Sequence, residues 1–306
     1  MRLSSTLGFG LTLVGALAVG ACSSSNGNPV DSGSDTGAPA DTSTAINVAV
    51  SGTAAPHPLT TPVGMNPATD FSELQVAVVD PAVVIANPSA PPLAGGPLNT
   101  MPANCGASGC AWSFDSVDIS KISLGLVGIV DDTRTTNKLW VRTGTGAGAA
   151  SFITMEKTTK APITDRRLFA VSKNTEAALA MFAAVVLQDP SIVPGSLEAR
   201  GFMLATVVGK LSEGAAPVAG AMITPLNDSR TNVIYPNATF TGVGTTTAAH
   251  GTVLVVPKMA ADAGTPTSIV ASWMVTPPSG DSRTWANLTA GTSPGTAFVL
   301  LFAANE

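Results

Sequence analysis

Phe202-Met-Leu-Ala-Thr-Val-Val208 is a short apolar run, and Thr252-Val-Leu-Val-Val256 is another of the same kind. Around them lie Ala221-Met-Ile-Thr224, Ser268-Ile-Val-Ala-Ser-Trp-Met-Val275 and Ala297-Phe-Val-Leu-Leu-Phe302. Such β-branched and aromatic runs, separated by turn formers, are strand signals. An earlier cluster repeats the pattern. Ile46, Val48 and Val50 alternate with smaller or polar residues, as on a half-buried strand. Leu74-Gln-Val-Ala-Val-Val-Asp80 follows, closed by Pro81, and then Trp112–Phe114, Ile122–Val130 and Leu139–Arg142. Pro- and Gly-rich loops part these runs, notably 87–102. Many short strands punctuated by turns indicate a mainly β chain built as a β-sandwich.

One stretch breaks the pattern. Residues 174–188, NTEAALAMFAAVVLQ, are rich in Ala, Leu and Met, which favour helix. Asn174 is placed to cap it and Asp189-Pro190 to end it. Met181 and Phe182 read as packing residues. The expected division is a leader at 1–21, a tether at 22–44, a first sandwich at 45–146, a connector with the helix at 147–198, and a second sandwich at 199–306.

Charged residues make up 11% of the chain, against about 25% in an ordinary domain. Lys and Arg total 15, Asp and Glu 20, for a net charge of -5. No basic surface is available to neutralise phosphates, so nucleic acid is excluded as a partner. Thirty Gly and 23 Pro support turns and strands over helices.

The N-terminus carries an address. Arg2 precedes an almost wholly apolar run, Leu7–Ala21, the layout of a secretory signal peptide. Its length of about 15 residues falls short of the ~20 that cross a bilayer. The run ends in Val19-Gly20-Ala21-Cys22, which resembles the bacterial lipobox. That resemblance implies cleavage before Cys22, a diacylglycerol on its sulfur, and usually acylation of the new amine. Two or more acyl chains hold a protein stably at a membrane. Ser23 stands where an aspartate would imply retention at the inner membrane, so the resemblance implies the outer membrane or cell surface of a bacterial envelope. Residues 23–44 have no aromatic residue, and Asp31, Asp35 and Asp41 are their only charges. Too little apolar surface is present to offset chain entropy, and a coil of this length spans about 25 Å.

Of the three cysteines, Cys105 and Cys110 remain once Cys22 is assigned to lipid. The small residues between them allow a tight loop, and an exported compartment permits a disulfide. A metal or redox site is the weaker alternative. No His, Asp or Glu lies in that loop, and four residues, not two, separate the sulfurs.

A family resemblance covers 200–257. Val207-Val-Gly-Lys-Leu211, Ala216-Pro-Val-Ala-Gly-Ala-Met-Ile223 and Gly251-Thr-Val-Leu-Val-Val-Pro257 resemble the carboxypeptidase regulatory-like family. That resemblance implies a prealbumin-like β-sandwich, with Gly220 allowing a turn before Ala221. Two departures are Thr252, where the family commonly has an aromatic residue, and the long gap before Gly251. The first cluster echoes the pattern through Val50-Ser-Gly-Thr53, His57-Pro-Leu59 and Leu74–Val78. Two tandem prealbumin-like sandwiches with one connecting helix are therefore expected, with a single larger β-sandwich as the alternative.

Catalytic motifs do not emerge. His57 and His250 are the only histidines, lack the spacing of a zinc site, and read as turn residues. Gly106-Ala-Ser-Gly-Cys110 only approaches a nucleophile elbow. Gly144-Thr-Gly-Ala-Gly-Ala149 mimics a dinucleotide fingerprint, but Ser151–Thr154 open no evident helix, so the run reads as a flexible exit from the first sandwich. Asp115 with Asp118, and Asp131 with Asp132, have the oxygen chemistry for calcium but read as strand ends in solvent. No metal, cofactor or catalytic residue is assigned. Trp112, Trp140 and Trp273 fall in strands and read as core. Trp285, between polar loops, is the candidate ligand contact, since an exposed indole stacks on sugar rings. The expected function is a non-enzymatic, lipid-anchored envelope protein acting as an interaction or structural module. The alternative is a carbohydrate-binding surface lipoprotein. The expected partners are the membrane, through Cys22, and an envelope protein or polysaccharide.

Overall fold

A computed structural model of the chain describes residues 44–60, 70–87, 90–98, 100–101, 104–106, 109–148, 150–258 and 268–306. The leader, Cys22 and all but the last residue of the tether lie outside them. The strands are β1 Asn47–Pro56, β2 Leu74–Val79, β3 Ala94–Pro97, β4 Cys105–Gly106, β5 Gly109–Asp118, β6 Leu126–Asp132, β7 Trp140–Val141, β8 Thr143–Gly148 and β9 Ile163–Ser172. After them come β10 Phe202–Val208, β11 Met222–Pro225, β12 Thr231–Pro236, β13 Val243–Gly244, β14 Thr252–Pro257, β15 Ile269–Thr276, β16 Leu288–Thr292 and β17 Ala297–Ala303. The helices are α1 Pro81–Ala86, α2 Ala150–Thr159, α3 Lys173–Leu187 and α4 Ser196–Arg200. The chain is mainly β, as its patterning indicates.

Each strand cluster forms one two-layered half. In the first, a five-stranded sheet ordered β4-β5-β1-β9-β7 faces β2 and β6, with Val50, Trp112, Leu168, Val76 and Val130 sharing a core. In the second, a three-stranded sheet, β11-β15-β16, faces β10, β14 and β17 across Trp273, Val275, Met203, Val255 and Phe302. The halves are not separate sandwiches, however. One nine-stranded sheet, β13-β12-β14-β10-β17-β8-β6-β2-β3, supplies a layer to both. The join is the parallel pair β17–β8, with Ala297, Phe298 and Val299 opposite Thr143, Gly144 and Thr145. Without it each strand would present an open edge, and pairing satisfies those backbone groups.

That join explains the glycine run at 144–148. It is strand β8, not a flexible exit. A Cβ on Gly144 would fall 2.8 Å from the Phe298 ring, so glycine lets the neighbouring strand's aromatic lie flat over it. Helix α2 follows, beginning where none was expected. It leads from the nine-stranded sheet into the five-stranded one, so β8, α2 and β9 do not make the single-sheet βαβ unit of a dinucleotide site.

Strand β10 is buried on both faces. Met203, Ala205 and Val207 enter the core shared with the three-stranded sheet. Phe202 and Leu204 enter a third core with Leu179, Ala180 and Ala183 of α3 and with Val141 and Val171 of the first half. A strand covered twice reads as a continuous apolar run, and that is how 202–208 reads. Helix α3 therefore does connect the halves, as a wedge packed on both. Its cap is Ser172, two residues before the expected Asn174, with Oγ accepting from the Thr175 amide at 3.0 Å. It ends with Gln188 in the left-handed conformation. Helices α1, α2 and α4 are additional to the one expected. Pro81, expected only to close a strand, starts α1, with Asp80 capping it through a 2.9 Å bond from the Ala82 amide. In the turn before β11, Gly220 has φ +81° and Ala221 is buried, the roles expected of that pair.

Candidate functional site

Cys105 and Cys110 face each other across the β4–β5 hairpin and are disulfide-bonded, with Cα atoms 4.0 Å apart. Cys110 belongs to the first core, so the bridge ties the edge of the five-stranded sheet to its interior.

Trp285 is not an exposed stacking platform. It is 8% exposed and lies in the second core. Its indole N–H donates to the carbonyls of Val208 at 2.9 Å and Phe302 at 3.1 Å, and the Arg283 guanidinium sits 5.6 Å from its ring centroid. Polar flanks made it look exposed in sequence. The neighbouring Asp281-Ser-Arg283 turn is self-neutralising, with the Arg283 guanidinium on the Asp281 carboxylate, which pulls that acid down to about 2. The sugar-stacking role is therefore corrected to a core anchor.

Of the two histidines expected in turns, His250 lies in one and His57 does not. His57 directly follows β1 and is buried, edge-on to Phe169 at 5.3 Å, with Nδ1 accepting the Leu59 amide at 3.2 Å. Burial, then the charge of Arg167, lowers its pKa to about 3. His250 is half-buried and stacked on Phe240.

Buried acids hold loops. The Asp132 carboxylate has no exposed surface and accepts the amides of Arg134, Leu139 and Trp140 at 3.0, 2.7 and 3.2 Å. The Arg134 guanidinium lies 3.1 Å from both its oxygens and reaches on to Asp70 at 2.7 Å. Burial raises the Asp132 pKa, but the amide bonds and the guanidinium together hold it below the usual carboxylate range. Glu176, 1% exposed, accepts the amides of Gly195, Leu197 and Glu198 and so caps α4 from α3. There burial prevails and, with the nearby Glu198 charge adding, its pKa is raised despite those bonds. Asp118 binds the amides of Ile46 and Ser120. Among the described residues no group of three or more His, Cys, Asp or Glu is arranged to hold a metal.

Outside the cores, α3 carries an apolar outer face. Met181 is 53% and Val185 78% exposed. With Phe182 and the loop residues Thr239, Phe240 and Thr241 they line an open groove of about 360 Å³. The charge-free run 177–187 is the sequence signal for this face, because a helix packed on one side only normally carries charges on the other. No helix among the described residues is long and apolar enough to cross a membrane.

No protein-family model matches the chain, and no curated protein matches it. Among solved structures, the shaft pilin SpaA from Lactobacillus rhamnosus GG is 12% identical over 85% of this chain and 98% of its own, at a TM-score of 0.22. The Bacillus anthracis TIE protein is 6% identical over 85% of this chain and 34% of its own, at 0.19. Likeness at those scores carries no argument about fold or role.

Proposed function

We propose that this is a non-enzymatic, lipid-anchored protein of the bacterial cell envelope, held to the outer membrane through Cys22 and acting as an interaction or structural module of carboxypeptidase regulatory-like type. The observation that carries the non-enzymatic part is the assignment of the buried ionisable groups. Asp132 accepts three amides and a guanidinium, Glu176 caps a helix, and His57 accepts an amide at a strand end. Groups so tied hold the fold, whereas a catalytic acid or base keeps a position open for its substrate proton. The anchor rests on Val19-Gly20-Ala21-Cys22 at the end of an apolar leader, with Ser23 after it. A partner protein of the envelope fits the uncharged surface better than a polysaccharide does, since Trp285 offers no open ring.

Metabolic labelling with palmitate tests the anchor. Label is expected on the wild-type chain and absent from Cys22→Ala, which leaves the membrane fraction. Label that persists in the variant contradicts the lipobox reading. A panel of ester, peptide and glycoside substrates tests the rest. Turnover that co-purifies with the chain and is lost in a single-residue variant would contradict a non-enzymatic module.

A further inference from the structure

Helix α3 is apolar on two sides, and the fold covers only one. Leu179, Ala180 and Ala183 enter the core shared with β10. Ala178, Met181, Phe182 and Val185 form a second stripe at helical spacing along the groove. A helix apolar all round is normally buried on every side. Thr239, Phe240 and Thr241 line the rest of the groove. Phe240 has φ +55°, a left-handed conformation that a bulky residue keeps only where its surroundings hold it. The Asn237 side chain shapes that loop, accepting the amides of Thr239 and Thr241 at 3.2 and 3.0 Å. Phe182 meets the Phe240 ring edge-on at 6.0 Å. An apolar ring is thus fixed in advance at the rim of an exposed apolar helix face.

Charge is missing from both lining segments. No Asp, Glu, Lys or Arg stands in 177–187 or in 231–257. The ionisable groups of α3 are turned elsewhere, Lys173 to Glu198 and Glu176 to the amides of α4. Such a face offers a charged protein nothing to steer by. It enters the headgroup–acyl boundary of a bilayer without taking a charge out of water. The chain itself brings a bilayer within reach. From Cys22 to Thr44 it spans about 75 Å when fully extended. Strand β1, which starts at Asn47, is about 33 Å long, and Pro56 at its far end pairs with Ala170, two residues before the Ser172 cap of α3. The reach from the lipid therefore exceeds the distance along the body to α3. A flexible linker holds its target at an effective concentration on the order of millimolar, so a contact of a few side chains suffices.

We propose that the outer face of α3, with Phe240, docks on the phospholipid surface to which Cys22 is anchored. The proposal rests on the anchored reading above and adds to it the face that meets the membrane; a protein partner binds elsewhere on the body. Met181 and Val185 enter the acyl boundary, and Thr239 and Thr241 meet the headgroups.

Spin labelling of the lipid-bearing full chain tests the docking. With Cys22 taken by lipid and Cys105 bonded to Cys110, Val185→Cys introduces the one free thiol. Leu124→Cys is the comparison, an exposed residue of the loop after Ile119, whose amide bonds Ile46 at the tether end of the body. Each labelled chain is reconstituted into vesicles of phosphatidylethanolamine with one quarter phosphatidylglycerol. Collision rates of the nitroxide are then measured with oxygen, which concentrates in hydrocarbon, and with a nickel chelate, which stays in water. The ratio of oxygen to nickel collisions at position 185 is expected to be at least about fivefold above that at position 124, as for a side chain sunk roughly 5–10 Å below the surface. Met181→Cys, one turn away on the same face, is expected to give the same ratio. Equal, water-like ratios at 185 and 124 overturn the docking. Low collision rates with both reagents at 185 report a protein or a second copy seated on the face, and also overturn it. Palmitate labelling of the same preparations separates the two readings. A chain that takes up no palmitate fails the anchored reading and this proposal with it, whereas a labelled chain with position 185 in water fails this proposal alone.

Discussion

Asp132 in the first half and Glu176 on the wedge helix are both sealed carboxylates, and each accepts three backbone amides. Their acidities nevertheless move in opposite directions. Asp132 has the Arg134 guanidinium on both oxygens and is held below the usual range against the pull of burial. Glu176 faces α4 with Glu198, not a cation, among its neighbours, and burial pushes it up. Three amide donors are therefore not enough to make a buried acid comfortable. A counter-charge decides whether the ionised form stabilises the fold or strains it.

The largest expected effect comes from an anchor with no charge at all. Trp285→Ala removes a core indole and orphans the carbonyls of Val208 and Phe302, so a loss of about 4 kcal/mol in urea unfolding is expected. If a variant of either acid costs more, charge matters more here than burial of aromatics. Asp132→Ala is next, at about 3 kcal/mol, because it leaves three amides and one arm of the Arg134 guanidinium without their acceptor. Opening the bridge with Cys105→Ser and Cys110→Ser together is expected to cost about 2 kcal/mol, as for a short loop. Glu176→Gln is the smallest, about 1 kcal/mol or less at neutral pH, since the amide keeps an oxygen for α4 and removes a charge that is poorly placed. A loss for Glu176→Gln equal to that for Asp132→Ala would break the comparison.

Much of the fold was legible in the sequence, for identifiable reasons. Strands β10, β14, β15 and β17 are apolar on one or both faces, and their runs read directly. Helix α3 was legible from its Ala, Leu and Met content. Strand β9 was not, because Asp165, Arg166 and Arg167 interrupt it at residues that leave the core before Leu168 returns to it. Strands β12 and β16 are half polar and short, and tertiary pairing with β14 and β15 makes them strands. The sharing of one sheet by both halves depends on the β17–β8 pair, which spans more than 150 residues of chain and leaves no local mark beyond the glycines of β8. At the candidate site the disulfide followed from composition and spacing. The burial of Trp285 did not, because Asp281 and Arg283 cancel each other beside it and let polar residues line a buried ring. The roles of Asp132 and Glu176 depend on amides 2 to 22 residues away that only the fold brings together.

Unfolding in urea as a function of pH, on the wild type, Asp132→Asn and Glu176→Gln, tests most directly the claim that these acids serve the fold and how they do so. Asp132 has a depressed pKa, so its stabilisation is present above the usual carboxylate value and is lost as the pH falls through the folded-state value. Glu176 has a raised pKa, so its ionisation weakens the fold at neutral pH, and that penalty is relieved as the pH falls through the raised value towards the usual one. Asp132→Asn is therefore expected to be much less stable than wild type at pH 7, with the gap closing in acid. Glu176→Gln is expected to lose the gain that the wild type shows on mild acidification. Parallel stability curves for all three proteins would contradict the assignment of both carboxylates.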